Sequence, residues 1–292
     1  MNLIKVLILI SILTLGHSSF AVMRFVYHAP ESDHDFRYKY HWEILKSALD
    51  LTEKKFGPYS LTPSEILSED QQLAEMKKKS AKLTVMIRET NKVFETELNA
   101  VKIPIDRNLI GYRVLLIDKK NQAQLSKVDS LEKLITFNVG QGAGWGDISI
   151  LKNSGFNVIT KAKYDDLFKS LIAGEFQIFP RGVVEVLEEY RHFKKLYSNL
   201  AIDDHVLLYY PLPTYFWFQD SSDGRLMARR VEEGLRFMIK SGSYRKIFDK
   251  HYAKVIRELD LNKRVLIKIP NPYLPSSVPF DRKELWFDPR DI

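Results

Sequence analysis

The sequence predicts an α/β protein built from two lobes. Three observations lead to this prediction: an export signal at the start, about 270 residues after it, and two successive units in which short apolar runs alternate with amphipathic stretches. A chain of that length is comfortable for two lobes, each with its own core, and for a buried cleft between them.

The export signal occupies residues 1–21. Lys5 supplies the positive charge, Val6 to Leu15 form an apolar run, and Ser19-Phe20-Ala21 form a small-x-small cleavage site before Val22. The apolar run has about half of the roughly 20 residues that a bilayer-spanning helix needs. We therefore expect a cleaved signal and a periplasmic protein; the alternative is an uncleaved membrane anchor.

The first unit is predicted to begin β-α-β-α-β. Apolar residues recur at three and four positions through 40–56, which predicts a helix that ends at Gly57-Pro58. Ser68-Glu69-Asp70 is typical of a helix start. The predicted strands are 25–27, 59–62 and 81–87, and the predicted helices are 40–56 and 68–79.

The second unit repeats this order after a longer strand at 109–117. Its predicted strands are 134–139, 156–160 and 176–179, with helices at 147–153 and 164–173, the latter ended by Gly174. Strands at 206–210 and 215–218 flank Pro211-Leu212-Pro213, which suits a passage back to the first lobe. Helices at 224–240 and 243–252 follow, and the proline-rich tail from Asn262 is expected to wrap the surface as extended chain.

The polypeptide is therefore predicted to cross between the two lobes twice. The expected crossings lie near Leu109 to Arg113 and near Pro211 to Tyr215. Residues 22–112 and 214–292 would form the first lobe, with the proline-rich extension, and residues 113–213 the second.

Composition excludes sites that depend on cysteine and indicates which partners the charge suits. The chain has no cysteine, so disulfides, a cysteine nucleophile and thiolate metal sites are excluded. The formal charge of +7 suits an anionic ligand or envelope surface. The runs Lys77-Lys78-Lys79 and Arg229-Arg230 are explained by solvated helix faces, and we expect no nucleic-acid partner.

A glycine-rich turn, Gly140-Gln141-Gly142-Ala143-Gly144-Trp145-Gly146-Asp147, lies between a predicted strand and a predicted helix. Its backbone N–H groups could hold an anion, with Trp145 as an aromatic wall. The turn lacks the ending of a P-loop and the spacing of a dinucleotide fingerprint. The alternative is a tight turn in which Asp147 only caps the helix.

Charged and aromatic residues end three other predicted strands. Arg181 follows strand 176–179 at the carboxyl end, where open α/β sheets place ligands, so it could clamp an anion or pair with an acid such as Glu185. Arg88 and Thr90 end strand 81–87, and Arg88 could instead form a surface ion pair. Tyr27 and His28 could wall a cleft or pack in the core. The predicted ligand contacts are Tyr27, Arg88, Thr90, Gly144, Trp145 and Arg181.

No catalytic or metal-binding set is evident. His28, Asp33, His34, Asp35 and His41 have the composition of a metal site, but their spacing matches no dedicated motif. The chain contains neither G-x-S-x-G nor H-E-x-x-H. We expect no metal, no cofactor and no enzymatic activity.

A family resemblance reaches over nearly all of the mature chain. Its parts, in order, are Ile110-Gly111-Tyr112-Arg113-Val114, Gly140 to Asp147, Tyr164-Asp165-Asp166-Leu167-Phe168 with Leu171-Ile172-Ala173-Gly174, Phe179-Pro180-Arg181-Gly182, and Pro270-Asn271-Pro272-Tyr273-Leu274-Pro275. Together they resemble the exported solute-binding-protein-like family related to amino-acid-binding components of ABC transporters. The resemblance implies a type II periplasmic binding fold, with two α/β lobes that close on a small ligand about two hinge strands.

Two departures from that family concern the ligand. Amino-acid binders hold the α-carboxylate with an arginine in a Thr-x-x-x-Arg setting, and here Thr90 is followed four residues on by Phe94. They hold the ammonium group with an aspartate after a second-lobe strand, and here that neighbourhood reads Arg181-Gly182. An arginine in place of an acid implies an anionic or neutral polar ligand.

Three functional hypotheses follow. The first is a monomeric periplasmic protein that captures a small polar, possibly anionic, ligand for transport or sensing through a membrane transporter or receptor. The second is a signalling or structural module that keeps this fold and contacts a membrane receptor. The third is an enzyme, but we expect no catalytic domain of the kind that the related lytic transglycosylases append to this fold.

Overall fold

The chain forms a mixed α/β structure with two β-sheets. The computed structural model describes residues 21–30 and 38–289, so the predicted signal lies outside the described residues except for Ala21. The strands are β1 (Met23–Tyr27), β2 (Tyr59–Pro63), β3 (Val85–Glu89), β4 (Leu98–Val101), β5 (Tyr112–Asp118), β6 (Val139–Gly142), β7 (Val158–Lys161), β8 (Ile178–Gly182), β9 (Leu200–Ile202), β10 (Val206–Tyr209), β11 (Thr214–Gln219) and β12 (Val265–Lys268). The helices are α1 (Lys39–Phe56), α2 (Glu69–Lys77), α3 (Lys92–Glu97), α4 (Gln122–Leu125), α5 (Leu131–Leu134), α6 (Ile148–Asn153), α7 (Tyr164–Ala173), α8 (Val186–Phe193), α9 (Ser222–Ser241) and α10 (Ser243–Glu258).

The first sheet has the strand order β2-β1-β3-β11-β4. Strand β1 is parallel to β2 and β3, whereas β11 runs antiparallel to β3 and β4. Helix α1 packs against α9 and α10. The α1–α9 contact is close, because a Cβ built on Gly234 would lie 2.4 Å from the carbonyl oxygen of Ala48.

The second sheet has the order β12-β10-β5-β8-β6-β7, with β9 paired to β5. Strand β6 is parallel to β7 and β8, and β5 is antiparallel to β8, β9 and β10. Every residue of β5 is buried, which makes it the centre of the second lobe.

The chain passes between the sheets at the two predicted places and at a third. It leaves the first sheet between β4 and β5 and returns between β10 and β11. It then enters the second sheet again, because β12 pairs in parallel with β10 over residues 206–209. The prediction that all of 214–292 belongs to the first lobe is therefore wrong for Val265–Lys268, where Ile267 is buried in the second-lobe core.

Helix positions were predicted better than strands, and the predicted strand 134–139 is wrong except at Val139, where β6 begins. Helix α7 has the predicted bounds, and α1 starts one residue earlier than predicted. Ser68 caps α2 through a capping box with Gln71. Strand β8 extends through Arg181 and Gly182, which pair with Val114 and Arg113 of β5. Arg181 thus lies within a central strand rather than after it.

One basic run was also interpreted wrongly. Arg229 is exposed as expected, but Arg230 is completely buried. Its guanidinium donates to the carbonyl oxygen of Leu49 and the hydroxyl of Thr52, each at 3.3 Å, and lies over the ring of Tyr59. Within the described ranges, no helix has the length and apolar character required to cross a bilayer.

Candidate ligand-binding cleft

A cavity of about 110 Å³ lies between the two sheets. This is roughly eight times the space that one water molecule needs, so it can hold a small molecule. From the side of the first sheet it is lined by Tyr38, His41, Glu69, Ile87, Arg88 and Glu89. From the side of the second sheet it is lined by Arg113, Trp145, Gly146, Asp147, Arg181, Val184 and Glu185, and the crossings add Asp106, Ile110, Leu212 and Thr214.

The first-sheet face, defined as Glu69, Arg88 and Glu89, carries a partly open charge cluster. Strand β3 brings Arg88 and Glu89 to its carboxyl end, and Glu69 begins α2. Arg88 Nη2 lies 2.8 Å from Glu69 Oε2. Among the described residues, Glu89 has a single ion-pair contact, 3.7 Å from Oε2 to Arg88 Nε, and its side chain is 22% exposed.

The second-sheet face, defined as Arg113, Asp147, Arg181, Glu185 and Glu189, is a network of buried ion pairs. Arg181 forms a fork with Glu189 from Nε to Oε2 (2.7 Å) and from Nη2 to Oε1 (2.6 Å), and Nη2 lies 3.1 Å from Glu185 Oε2. The Tyr164 hydroxyl donates to Glu189 at 2.6 Å. Burial by itself would lower the pKa of Arg181, but Glu185 and Glu189 more than offset this and raise it.

Arg113 completes that network. Its Nη2 lies 3.4 Å from Asp147 Oδ2 and its Nη1 lies 3.4 Å from Glu185 Oε1. The Tyr210 hydroxyl donates to Asp147 at 2.8 Å. Burial disfavours the charge of Arg113, but Tyr210 and the two carboxylates outweigh it and raise the pKa. Both guanidinium groups of this face are therefore neutralised by the protein's own carboxylates.

Asp106 lies at the first crossing, in a different environment. It accepts hydrogen bonds from the backbone N–H groups of Asn108 (3.0 Å) and Ile110 (2.9 Å). Complete burial raises its pKa to about 6, although these hydrogen bonds partly oppose the shift.

Of the predicted contacts, Arg88, Trp145 and Arg181 line the cavity, and Tyr27, Thr90 and Gly144 are not among the described lining residues. Tyr27 packs on Trp42 with ring centroids 4.5 Å apart. Thr90 is buried beside the second crossing, where its N–H donates to the carbonyl oxygen of Pro213. Gly144 is at the exposed tip of its turn, with φ of +85°.

Two N–H groups of the glycine-rich turn are used within the protein: that of Ala143 donates to the carbonyl oxygen of Lys161 and that of Trp145 to the carbonyl oxygen of Gly142. Neither is available to an anion in this arrangement. Asp147 makes no side-chain cap of α6, which contradicts the capping interpretation. Trp145 instead covers Arg181, whose guanidinium carbon lies 4.6 Å from the ring centroid.

The turn also brings the two faces of the cleft together. A Cβ built on Gly146 would lie 2.1 Å from Glu89 Oε1. A side chain at this position would meet the carboxylate of the opposite lobe. Glycine therefore permits the close approach of the two lobes at the mouth of the cavity.

Sequence reasoning did not select Glu89, Arg113 and Glu189 as site residues. Arg113 carried a signal, because it is a charged residue inside an apolar strand that must be buried. Glu189 lies on α8, a helix that was not predicted.

The residues with the composition of a metal site are only partly described. His28 packs against Tyr38 and Trp42, with ring centroids 4.4 and 4.9 Å away. Asp33, His34 and Asp35 lie outside the described residues.

No family model and no curated protein matches the chain, but solved structures do. An ancestral arginine-binding protein bound to arginine is 16% identical, with a TM-score of 0.55 over 79% of this chain and 98% of that chain. An ancestral amino acid-binding protein, a precursor of cyclohexadienyl dehydratase, is 16% identical, with a TM-score of 0.52 over 79% and 95%.

A structure from the study of glutathione import via GshT and the cystine ABC importer TcyBC of Streptococcus mutans is 12% identical, with a TM-score of 0.56 over 80% of this chain and 96% of that chain. Similarity at these identities shows the fold. The chain has the type II periplasmic binding fold of amino-acid ABC transporter substrate-binding proteins, as the sequence resemblance implied.

Proposed function

We propose that this protein is a periplasmic solute-binding protein that captures a small polar ligand between its lobes and presents it to a membrane transporter. The observation that carries the proposal is the charged cavity between the two sheets, in a fold whose solved examples include proteins bound to arginine and to glutamine. A binding role, in a monomer and without catalysis, is part of the proposal.

We further propose that the ligand carries a positive charge. The described lining residues include five carboxylates (Glu69, Glu89, Asp106, Asp147 and Glu185) and three guanidinium groups (Arg88, Arg113 and Arg181). The sequence implied an anionic or neutral polar ligand because it left Arg181 free to bind one, but the charge of Arg181 is balanced by Glu185 and Glu189. A cationic group beside Glu89 would complete the charge balance of the cavity.

Thermal unfolding with added ligands tests this proposal. We expect L-arginine to raise the melting temperature more than L-glutamine, and L-glutamate to have the smallest effect. A ligand at 100 times its Kd adds about 2.7 kcal/mol to the free energy of unfolding, which is readily measured. Stronger stabilisation by L-glutamate than by L-arginine would contradict the proposed ligand charge.

A second function is favoured by one observation, the internal neutralisation of both arginines on the second-sheet face. A module that no longer binds a ligand could keep such a network for stability alone and act through a membrane receptor. It would show no stabilisation with any member of the ligand series and no bound small molecule after purification.

A further inference from the structure

The C-terminal segment after β12 crosses back over the junction between the lobes. Strand β12 belongs to the second sheet, and the chain continues alongside β10: the N–H of Ile269 donates to the carbonyl oxygen of Tyr209, and the Asn271 side chain donates to that of Pro211, each at 2.9 Å. This end of the segment is attached to the second lobe and to the second crossing.

The rest of the segment is attached to the first lobe. The Ser277 hydroxyl lies 2.7 Å from both carboxylate oxygens of Glu95 in α3. Further on, Phe287 is buried, with its ring centroid 6.0 Å from that of Phe248 in α10. The segment therefore connects the two lobes outside the two predicted crossings.

Its last contacts are made with the first crossing itself. The N–H of Phe287 donates to the carbonyl oxygen of Arg107 at 2.8 Å, and Arg107 Nη2 donates to the carbonyl oxygen of Trp286 at 2.9 Å. The Tyr112 hydroxyl, at the start of β5, donates to the carbonyl oxygen of Phe287 at 3.1 Å. Any rotation about this crossing has to move or break these contacts.

We propose that residues 269–289 form a strap that ties the lobes together and limits how far the cleft opens. Opening in two-lobed proteins is absorbed by a few backbone positions in the crossings. Here the two predicted crossings are fastened to the strap, through Pro211 and through Arg107, so a large opening requires Phe287 to leave the core. The free protein consequently stays near the closed arrangement, in which less conformational change is needed before a ligand is held. Only this consequence for affinity rests on the proposed binding function.

The strap can be tested by measuring the distance between the lobes without any ligand. The chain has no cysteine, so Lys54→Cys in α1 and Lys152→Cys in α6, both exposed, give two unique spin-label sites in opposite lobes. Pulsed electron paramagnetic resonance then gives the distribution of distances between the two labels.

Two variants loosen the strap: Phe287→Ala, and a flexible Gly-Ser insertion between Ser276 and Ser277. The insertion leaves every packed side chain in place, so it decides the matter if Phe287→Ala fails to fold.

We expect a narrow distribution in the unmodified labelled protein and a longer, broader one in both loosened variants. Tyr273→Ala is the matched control, because Tyr273 is in the strap with an exposed side chain, and it should keep the narrow distribution. A broad distribution in the unmodified protein, or an unchanged one in the insertion variant, would overturn the proposal. Neither result depends on whether the cleft binds a ligand.

Discussion

The two faces of the cleft use the same residue types in different ways. On the second-sheet face, Arg181 is 2% exposed, and two carboxylates hold its guanidinium. On the first-sheet face, Glu89 has one long ion-pair contact among the described residues, and its side chain lines the cavity. Buried charges that satisfy one another stabilise a particular arrangement of the lobe, whereas a partly open carboxylate can still exchange water for a ligand. The difference places the expected ligand selectivity on the first-sheet face.

The largest expected effect is on stability, from Arg181→Ala. Removing the guanidinium leaves the buried carboxylates of Glu185 and Glu189 without their main partner, which typically costs 3–5 kcal/mol. Urea unfolding followed by tryptophan fluorescence measures the change. Arg236→Ala is the control, because its ion pair with Glu232 is exposed and contributes about 0.3–0.5 kcal/mol.

The opposite outcome would reverse the comparison between the faces. If Arg181→Ala unfolds like the unmodified protein but loses affinity for a ligand, Arg181 is a ligand contact, as the sequence predicted. The second-sheet face would then be the selective one.

Asp106 offers a pH-dependent test of a buried carboxyl that forms no ion pair with an arginine in the described part of the chain. Its pKa is raised from 3.8 to about 6, so the folded state binds a proton more tightly than the unfolded state does. The contribution of Asp106 to stability is therefore fully present below its unfolded pKa and is lost as the pH rises to about 6 and above. A shift of this size corresponds to about 3 kcal/mol.

Urea unfolding at a series of pH values between about 4 and 7 measures this dependence. We expect Asp106→Asn to lack this part of the pH dependence, because the amide does not titrate. Identical pH profiles for the variant and the unmodified protein would show that the carboxyl titrates normally despite its burial.

Glu89→Gln should affect binding and not folding. The amide keeps the shape of the side chain but removes the charge, and a hydrogen bond to a charged group contributes about 1.5–3 kcal/mol. Calorimetric titration with L-arginine, if it stabilises the unmodified protein, gives the affinity. Glu232→Gln is the control, because that carboxylate is exposed, pairs with Arg236 within α9 and is not among the described residues that line the cavity. An equal loss of affinity in both variants would argue against a specific role for Glu89.

The smallest expected effect comes from Gly146→Ala. The new methyl group would meet the end of the Glu89 side chain, which can move aside, so the expected result is a few-fold loss of affinity with little change in stability. Ala143→Ser, at an exposed position of the same turn, is the control. Unchanged affinity in Gly146→Ala would mean that the lobes do not approach this closely when a ligand is bound.

The fold could be predicted from the sequence because several of its helices and turns carry strong local signals. The apolar period of α1 and the Gly174 stop of α7 are examples of such signals. The site was predicted less well, because long-range pairing decides it. The pairing of β8 with β5 buries Arg181, and the contact of Thr90 with Pro213 turns that residue away while Glu89 faces the cavity.

The proline-rich tail from Asn262 differs most from its prediction. Its prolines predicted extended surface chain, and they gave no sign that Val265–Lys268 would find a partner strand formed some 60 residues earlier. Nor did they indicate that Leu285 and Phe287 would enter the core. Both outcomes depend on an open sheet edge and an apolar surface that exist only after the lobes have folded.

The most direct test of the proposed cationic ligand is to identify what the protein carries when it is purified from a periplasmic extract. Mass spectrometry of the denatured protein releases and weighs any bound small molecule. We expect one organic molecule per chain that is positively charged at neutral pH, with much less of it in Glu89→Gln than in Glu232→Gln. An anionic molecule retained equally by both variants would contradict it.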